Sequence, residues 1–429
     1  MERPVEVLFR RLTTVFTCLL IFIFIATIPK LPGSPASPKY FLIMALFSLI
    51  LVQNRDRLAA GFKNFPLIVM CYFIVAAVSS LARSSPNGVV AAGEGLMMYV
   101  IVFGVMISGY NQARFITRYT ALLLVVSALW MIASSFIEEP FQSIRQFVYS
   151  GHMERFDLAY IQMANKTGLT FSHFSMGYQL AGGIILTVFL FLTEQGRWKI
   201  FWAISSGAMC IAILIASQRS VIPAVAFVLI LYWFLNKKRS IKYIFLIGAV
   251  FAVIFFAGKY YLDRYQFADT IYSKFETQED TRHRLGWQQV AMRIIAEKPV
   301  GNFFGELDWE DESLARGADY SEFGGEVKYV HNGYLAVMLS LGWAGVILVA
   351  GTLWYFIKNI FKPSLAQGET NPYLPFAALT SLALISDFIQ AMFHNSSIFS
   401  LEPTTWILFT LAGGWVYLMR RAEPLREKI

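Results

Sequence analysis

Twelve apolar runs, most of them roughly 17 to 25 residues long, punctuate this chain, and their length limits what it can fold into. A run of that size is what an α-helix needs to cross a bilayer, where backbone N–H and C=O groups find no water and must pair within their own segment. The runs lie at about 12–29, 39–53, 64–82, 89–109, 115–137, 171–193, 199–217, 220–236, 240–257, 332–356, 374–393 and 398–419, the second being short. With 56% of residues hydrophobic and only 15% charged, the apolar residues come in blocks and not in the scatter of amphipathic helices. The sequence therefore predicts an all-α integral membrane protein with about 12 transmembrane helices.

The formal net charge of +8 would suggest a nucleic-acid partner in a soluble protein. Here the basic residues fall largely in short loops between apolar blocks, where they act as topology signals. With the N-terminus in the cytoplasm, the inside segments are MERPVEVLFRR, QNRDR…FK, NQAR, EQGRWK, NKKRSIK, KNIFK and the tail RRAEPLREK, whereas the opposite short loops are poorer in charge. Both termini are then cytoplasmic, and no nucleic acid is expected. The first apolar run lacks a small-residue cleavage pattern and reads as a retained helix. Cys18, Cys71 and Cys210 all lie within apolar runs, where they behave as small hydrophobes and suggest neither a disulfide framework nor a metal site. No Gly-rich phosphate loop is present, so a cytosolic ATP-driven engine is not encoded here.

These runs divide the chain into residues 1–257, holding spans one to nine with an external loop at about 138–170; residues 258–330, a large external loop; and residues 331–429, holding the last three spans and a cytoplasmic tail. The large loop carries nine Lys/Arg against fourteen Asp/Glu. Within it, DTRHRLGWQQVAMRIIAEKP places Leu285, Val290, Met292, Ile294 and Ile295 among charges at helix-like spacing, which predicts a small helical subdomain.

The chemistry-bearing residues cluster on the external side of this plan. His331 and Asn332 stand at the mouth of the run VHNGYLAVMLSLGWAGVILVA, where an imidazole is reached by water and still held rigidly. Arg219, in the tight turn IASQRSVIPA, offers a planar fork of donors suited to phosphate oxygens, although an interfacial arginine can also simply anchor a helix. Arg282 and Arg284, close to Trp287, form a second basic pair that could hold an anion or pair with Glu279 or Asp280. The acidic run GELDWEDES reads as a solvated face before it reads as a cation site. Glu94, Asp387 and Glu402 lie within apolar runs, where a charge is costly and usually faces a cavity or a partner. Arg145, His152, Arg155 and Lys166 of the first external loop could meet an anionic acceptor, though their spacing does not require it.

Three stretches in order, IASQRSVIPAVAFVL, RLGWQQVAMRIIAEKPVGN and HNGYLAVMLSLGWAGVILV, resemble the O-antigen ligase and polymerase family of membrane glycosyltransferases. The first is similar to that family's S-R-G turn, the second to its R…W…P-G loop motif, and the third to its H-N-x-x-L…G-x-x-G helix. Ser220 stands where a glycine is usual, Arg284 precedes Trp287 by three residues where four is common, and Asn302 follows Gly301 where an apolar-Gly step is usual. Either Arg282 or Arg284 could be the motif arginine, with Leu285 favouring Arg284.

The resemblance implies a GT-C-like fold with a helical periplasmic loop subdomain in the bacterial inner membrane. It implies metal-independent, inverting glycosyl transfer without a cofactor: O-antigen passes from undecaprenyl diphosphate to a sugar hydroxyl of lipid A-core on the periplasmic face. In that scheme His331 is the base, Asn332 orients it or the acceptor, and Arg219 with Arg284 or Arg282 holds the diphosphate. A polymerase of the same superfamily is the nearest alternative, and a twelve-helix transporter or flippase is the alternative from another class, motivated by Glu94, Asp387 and Glu402. A transporter would depend on those acids and tolerate the loss of His331.

Overall fold

The computed structural model describes residues 4–28, 36–85, 87–137, 139–153, 167–170, 172–216, 218, 220–235, 279–320, 329–365, 371–394 and 397–426. Every regular element among them is helical. In chain order these are α1 (Pro4–Ile25), α2 (Pro38–Asn64), α3 (Leu67–Ala82), α4 (Asn87–Met106), α5 (Tyr110–Phe136), α6 (Phe141–Met153), α7 (His173–Thr193), α8 (Arg197–Ile215), α9 (Val221–Leu235), α10 (Glu279–Glu297), α11 (Trp309–Leu314), α12 (Gly333–Phe356), α13 (Leu374–Gln390) and α14 (Pro403–Arg426). Eleven of the twelve expected spans coincide with helices; the run at 240–257 lies outside the described residues. Six of the described helices are long and apolar enough to cross a membrane, or up to seven if α2 and α3 count as one bent span. The chain is thus an all-helical membrane protein.

α2 departs from expectation. It does not stop at the charged stretch beginning at Gln53 but breaks at Asn54 (φ −168°, ψ 92°) and continues to Asn64, and α3 leaves at 77°. The continuation is held because Leu58 and Gly61 are buried, Gly61 lying so close to α4 that an added Cβ would come within 2.9 Å of the Val100 carbonyl. A small residue at that crossing lets two backbones approach.

At the centre stand α7, α13 and α14, mutually packed, with α9 against α13 and α4 against α14. Hydroxyls inside the bundle satisfy themselves on the preceding turn, as Thr117 of α5 does on the Ala113 carbonyl, Thr380 of α13 on Phe376 and Thr410 of α14 on Trp406. Indole N–H groups then tie helices together: Trp406 donates to the Gly95 carbonyl at 2.8 Å and Trp415 to the Thr117 hydroxyl at 2.9 Å. At one end Glu194, following α7, receives both Arg114 and Arg118 of α5. Burial pushes the Glu194 carboxyl up, but the Arg118 and Arg114 guanidiniums outweigh it and hold it below the ordinary range.

The loop expected as a helical subdomain holds α10 and α11, which cover a second core of Val290, Ala291, Ile294, Ile295, Leu307, Val330 and Leu339. Leu285 and Met292, also expected on that apolar face, point outward at 56% and 53% exposure. The acidic run serves this unit: Asp308 caps α11 by accepting from the Glu310 and Asp311 N–H groups, and Glu312 pairs with Lys298 and Arg316.

Candidate functional site

The site is built where α12 begins. Asn332 is the N-cap, its Oδ1 accepting from the N–H groups of Tyr334 and Leu335 at 3.1 Å each, so the side-chain oxygen is committed to starting the helix. The Gly333 N–H donates to the Ala391 carbonyl at 2.8 Å, joining this start to the end of α13. Between the cap and the loop, His331 takes a left-handed backbone (φ 48°), which is uncommon for a residue with a Cβ and aims its ring away from the helix axis. That ring stacks on Trp287 of α10, centroids 6.0 Å apart and planes at 28°, and Trp287 stacks in turn on Tyr320 at 5.3 Å. Trp287 is only 2% exposed, and the Tyr320 hydroxyl is fixed by Ser313 of α11 at 2.9 Å. The imidazole therefore caps a column of rings supplied by the loop helices.

Two glycine turns lock α10 to α12. α12 breaks at Gly342 (φ 59°), which frees the Trp343 N–H to donate to the Pro299 carbonyl at 2.9 Å and the Leu339 carbonyl to receive the Asn302 N–H at 2.8 Å. Gly301 (φ 60°) faces this break, and a Cβ there would lie 2.6 Å from the Gly342 nitrogen. Asn302 adds a bond of its own, accepting from the Leu307 N–H at 3.0 Å. The P-V-G-N and L-G-W-A-G stretches are thus one interlocked unit.

Two further histidines converge on the same place. His173, first residue of α7 behind its Ser172 cap, has its Nε2 2.7 Å from the Gln218 side-chain nitrogen, which also donates to the His173 carbonyl at 2.9 Å. His394, just beyond α13, has its Nε2 3.1 Å from the Ser220 hydroxyl. Phe174 lies among the three imidazoles, 6.4 Å from His331, 5.1 Å from His394 and 6.1 Å from His173. Three of the chain's five histidines thus share one end of the bundle. Deeper in, Ser175 donates to Glu402 at 3.0 Å, Thr405 to Asp387 at 3.0 Å, and the Tyr334 hydroxyl to the Phe388 carbonyl at 2.7 Å.

Arg219 lies outside the described residues; Gln218 and Ser220 are tied to His173 and His394. Arg282 and Arg284 belong to the first turns of α10, ahead of Trp287; their side chains lie outside the described residues. Glu94 pairs with Lys39 at 2.7 Å and accepts from Tyr40, apart from this cluster. Arg155 and Lys166 are outside the described residues, as is the side chain of His152. Arg145 donates to the Thr170 carbonyl at 3.0 Å. Sequence reasoning passed over His173 and His394, although each carries the signal that singled out His331, a histidine at the end of an apolar run.

Residues 204–350 match the family model described as O-antigen ligase. The resemblance is to the O-antigen ligase family. The matched segment contains the Gln218–Ser220 turn, α10, the glycine interlock and the His331–Asn332 start of α12, while His173, His394, Asp387 and Glu402 come from outside it. No curated protein matches the chain. The matched segment therefore supplies one wall of the histidine cluster, and α7 with the end of α13 supplies the other.

Proposed function

We propose that the protein is an O-antigen ligase, transferring polymerised O-antigen glycan from undecaprenyl diphosphate to a sugar hydroxyl of lipid A-core on the periplasmic face of the inner membrane. The observation that carries the reading is His331, held in a left-handed turn, stacked on Trp287, and sharing its end of the bundle with Gln218 and Ser220. The acceptor oxygen attacks the anomeric carbon, the bond from that carbon to the diphosphate oxygen breaks, and the proton passes to the His331 imidazole. Attack opposite the leaving group inverts the anomeric centre. An imidazole with an ordinary pKa near 6.5 accepts a proton at neutral pH, and such transfer typically contributes about 10²- to 10⁴-fold. Negative charge gathers on the departing diphosphate, where Arg219 and Arg284 or Arg282 stabilise it with fixed guanidiniums in a water-poor site. This scheme needs no metal. Asn332 supports it indirectly, by fixing the start of α12 and so the direction of His331.

The transporter alternative rests on buried acids: Glu402 and Asp387 each accept one hydroxyl, from Ser175 and Thr405, and keep the other carboxyl oxygen unpaired among the described residues, while Glu94 is ion-paired; a transporter would depend on these acids and tolerate His331→Ala. Ligase and polymerase are separated by the products of a His331→Ala strain. A ligase that has lost its base leaves long, carrier-linked glycan intact while lipid A-core stays bare. A polymerase would instead leave single repeat units attached to lipid A-core, and that pattern would move the assignment. Purified His331→Ala protein transferring glycan at the wild-type rate would remove the histidine from the mechanism.

A further inference from the structure

At the opposite end of α12, roughly 35 Å from His331 by helix rise, the bundle holds a cavity of about 910 Å³ open to the surface. That volume suits a ligand and not merely a few waters. Its inner wall is apolar and buried, formed by Tyr99, Phe103, Ile107, Ile360 and Val416. Its rim carries Arg57 of α2 with Arg420 and Arg421 of α14, against a single carboxylate among the described residues, Asp56. Arg420 donates to the Asn359 carbonyl at 3.0 Å. The Arg57 side chain is half-buried and makes no hydrogen bond or ion pair among the described residues. A guanidinium drawn out of water needs an anionic partner, and this one faces the cavity without one.

Two helix irregularities meet at the same place. The α2 break at Asn54 and the π-helical turn Ile357–Phe361 that extends α12 both contribute lining residues, Asn54, Asn359 and Ile360. π-helical turns are found frequently at functional sites.

We propose that this cavity binds the headgroup of an anionic phospholipid of the cytoplasmic leaflet: the phosphate sits on Arg57 and Arg420, and the first carbons of the chains lie on the apolar wall. Polar rim and apolar wall together match a molecule with a charged head and a hydrocarbon tail, whereas a free phosphate would use only the rim. The proposal requires membrane embedding and does not depend on the glycosyl-transfer reading, so each stands or falls on its own experiment.

Purified full-length protein in nonionic detergent is exposed to micelles doped with phosphatidylglycerol, to micelles doped with phosphatidylcholine, or to inorganic phosphate alone. Bound lipid is counted by native mass spectrometry, and the unfolding midpoint is followed in parallel. The wild type should retain phosphatidylglycerol in preference to phosphatidylcholine. The double variant Arg57→Ala/Arg420→Ala should bind it about tenfold more weakly or worse. Arg55→Ala/Lys63→Ala, which removes the same charge from exposed positions outside the cavity, should bind as the wild type does. Equal loss in the two double variants would reduce the effect to net charge and overturn the site, as would equal retention of phosphatidylcholine. Arginine-dependent stabilisation by inorganic phosphate with no lipid preference would overturn the lipid assignment in favour of a free anion.

Discussion

Replacing Gly342 by alanine tests whether the contact between α10 and α12 is the fixed frame for His331. The native backbone (φ 59°, ψ −140°) lies in a region occupied almost only by glycine, and an alanine there costs about 1–2 kcal/mol before any contact is considered. The added Cβ would also stand 2.5 Å from the Val300 carbonyl carbon and closer still to the Pro299 oxygen, both backbone atoms that cannot rotate aside. Relief requires α12 to leave the Pro299–Asn302 turn, which breaks the Trp343-to-Pro299 and Asn302-to-Leu339 hydrogen bonds, each contributing about 0.5–1.5 kcal/mol net. The interlock should weaken by roughly 2–5 kcal/mol, a loss of exchange protection between about thirtyfold and several thousandfold. Hydrogen exchange read by mass spectrometry on peptides covering Asn302 and Trp343 measures this directly. Gly317→Ala is the control: its φ is 80°, but nothing lies within 4 Å of an added Cβ, so only the backbone strain remains. Unchanged protection at Asn302 and Trp343, or the same loss in both variants, would refute the interlock.

Two other outcomes follow from buried polar groups. The Glu194 carboxyl is held below its ordinary value of 4.5, so its contribution to stability is full above that value and is lost as pH falls through the lowered one. Glu194→Gln should remove that acid-side loss and destabilise the fold at neutral pH by about 1–3 kcal/mol, the third-exposed Arg114 moderating the cost, and a wild-type acid melting profile in the variant would show the pair to be inert. Gln390 is 0% exposed, and both its side-chain amide atoms, beside Gly177 and Gln218, lack hydrogen-bond partners among the described residues. Since an unpaired buried amide costs about 1–3 kcal/mol, Gln390→Leu should raise the unfolding midpoint while lowering glycan transfer; a lower midpoint would mean that the amide is paired after all.

The helices were legible because hydrophobic length is a strong signal, and the runs failed to predict structure only where helix persists without it. α2 past Asn54 is such a case: QNRDR is charged, yet the chain stays helical because Leu58 and Gly61 find α4, a contact between distant segments that composition cannot announce. The exposure of Leu285 and Met292 is the converse, apolar residues at helical spacing whose face is not the one α12 covers. In the site, His331 stood out by its position, but its column on Trp287 and Tyr320 is assembled across the loop. His173 with Gln218 and His394 with Ser220 are 45 and 174 residues apart, so no local spacing pairs them. Asn332, an asparagine ahead of a helix start, carries the N-cap signature, and the capping reading accounts for its oxygen before any role toward substrate does.

The two ends of α12 carry different chemistry, and the difference has a physical basis. At the start, the left-handed turn of His331 is over-determined by the Asn332 cap, the Gly333–Ala391 bond and the stack on Trp287. Strain of that kind persists only where surrounding contacts enforce it, and here those contacts fix the imidazole of His331 against Trp287. At the far end the helix loosens into a π-turn, and the groups gathered there are arginines, which stay charged at every relevant pH and can hold an anion but not exchange a proton with it. α12 thus runs from the end of the bundle that holds the histidines to the end where Arg57 of α2 and Arg420 and Arg421 of α14 gather. The break at Gly342, pinned by Pro299 and Asn302, is the point where that helix is fastened to the loop helices that hold His331 in place.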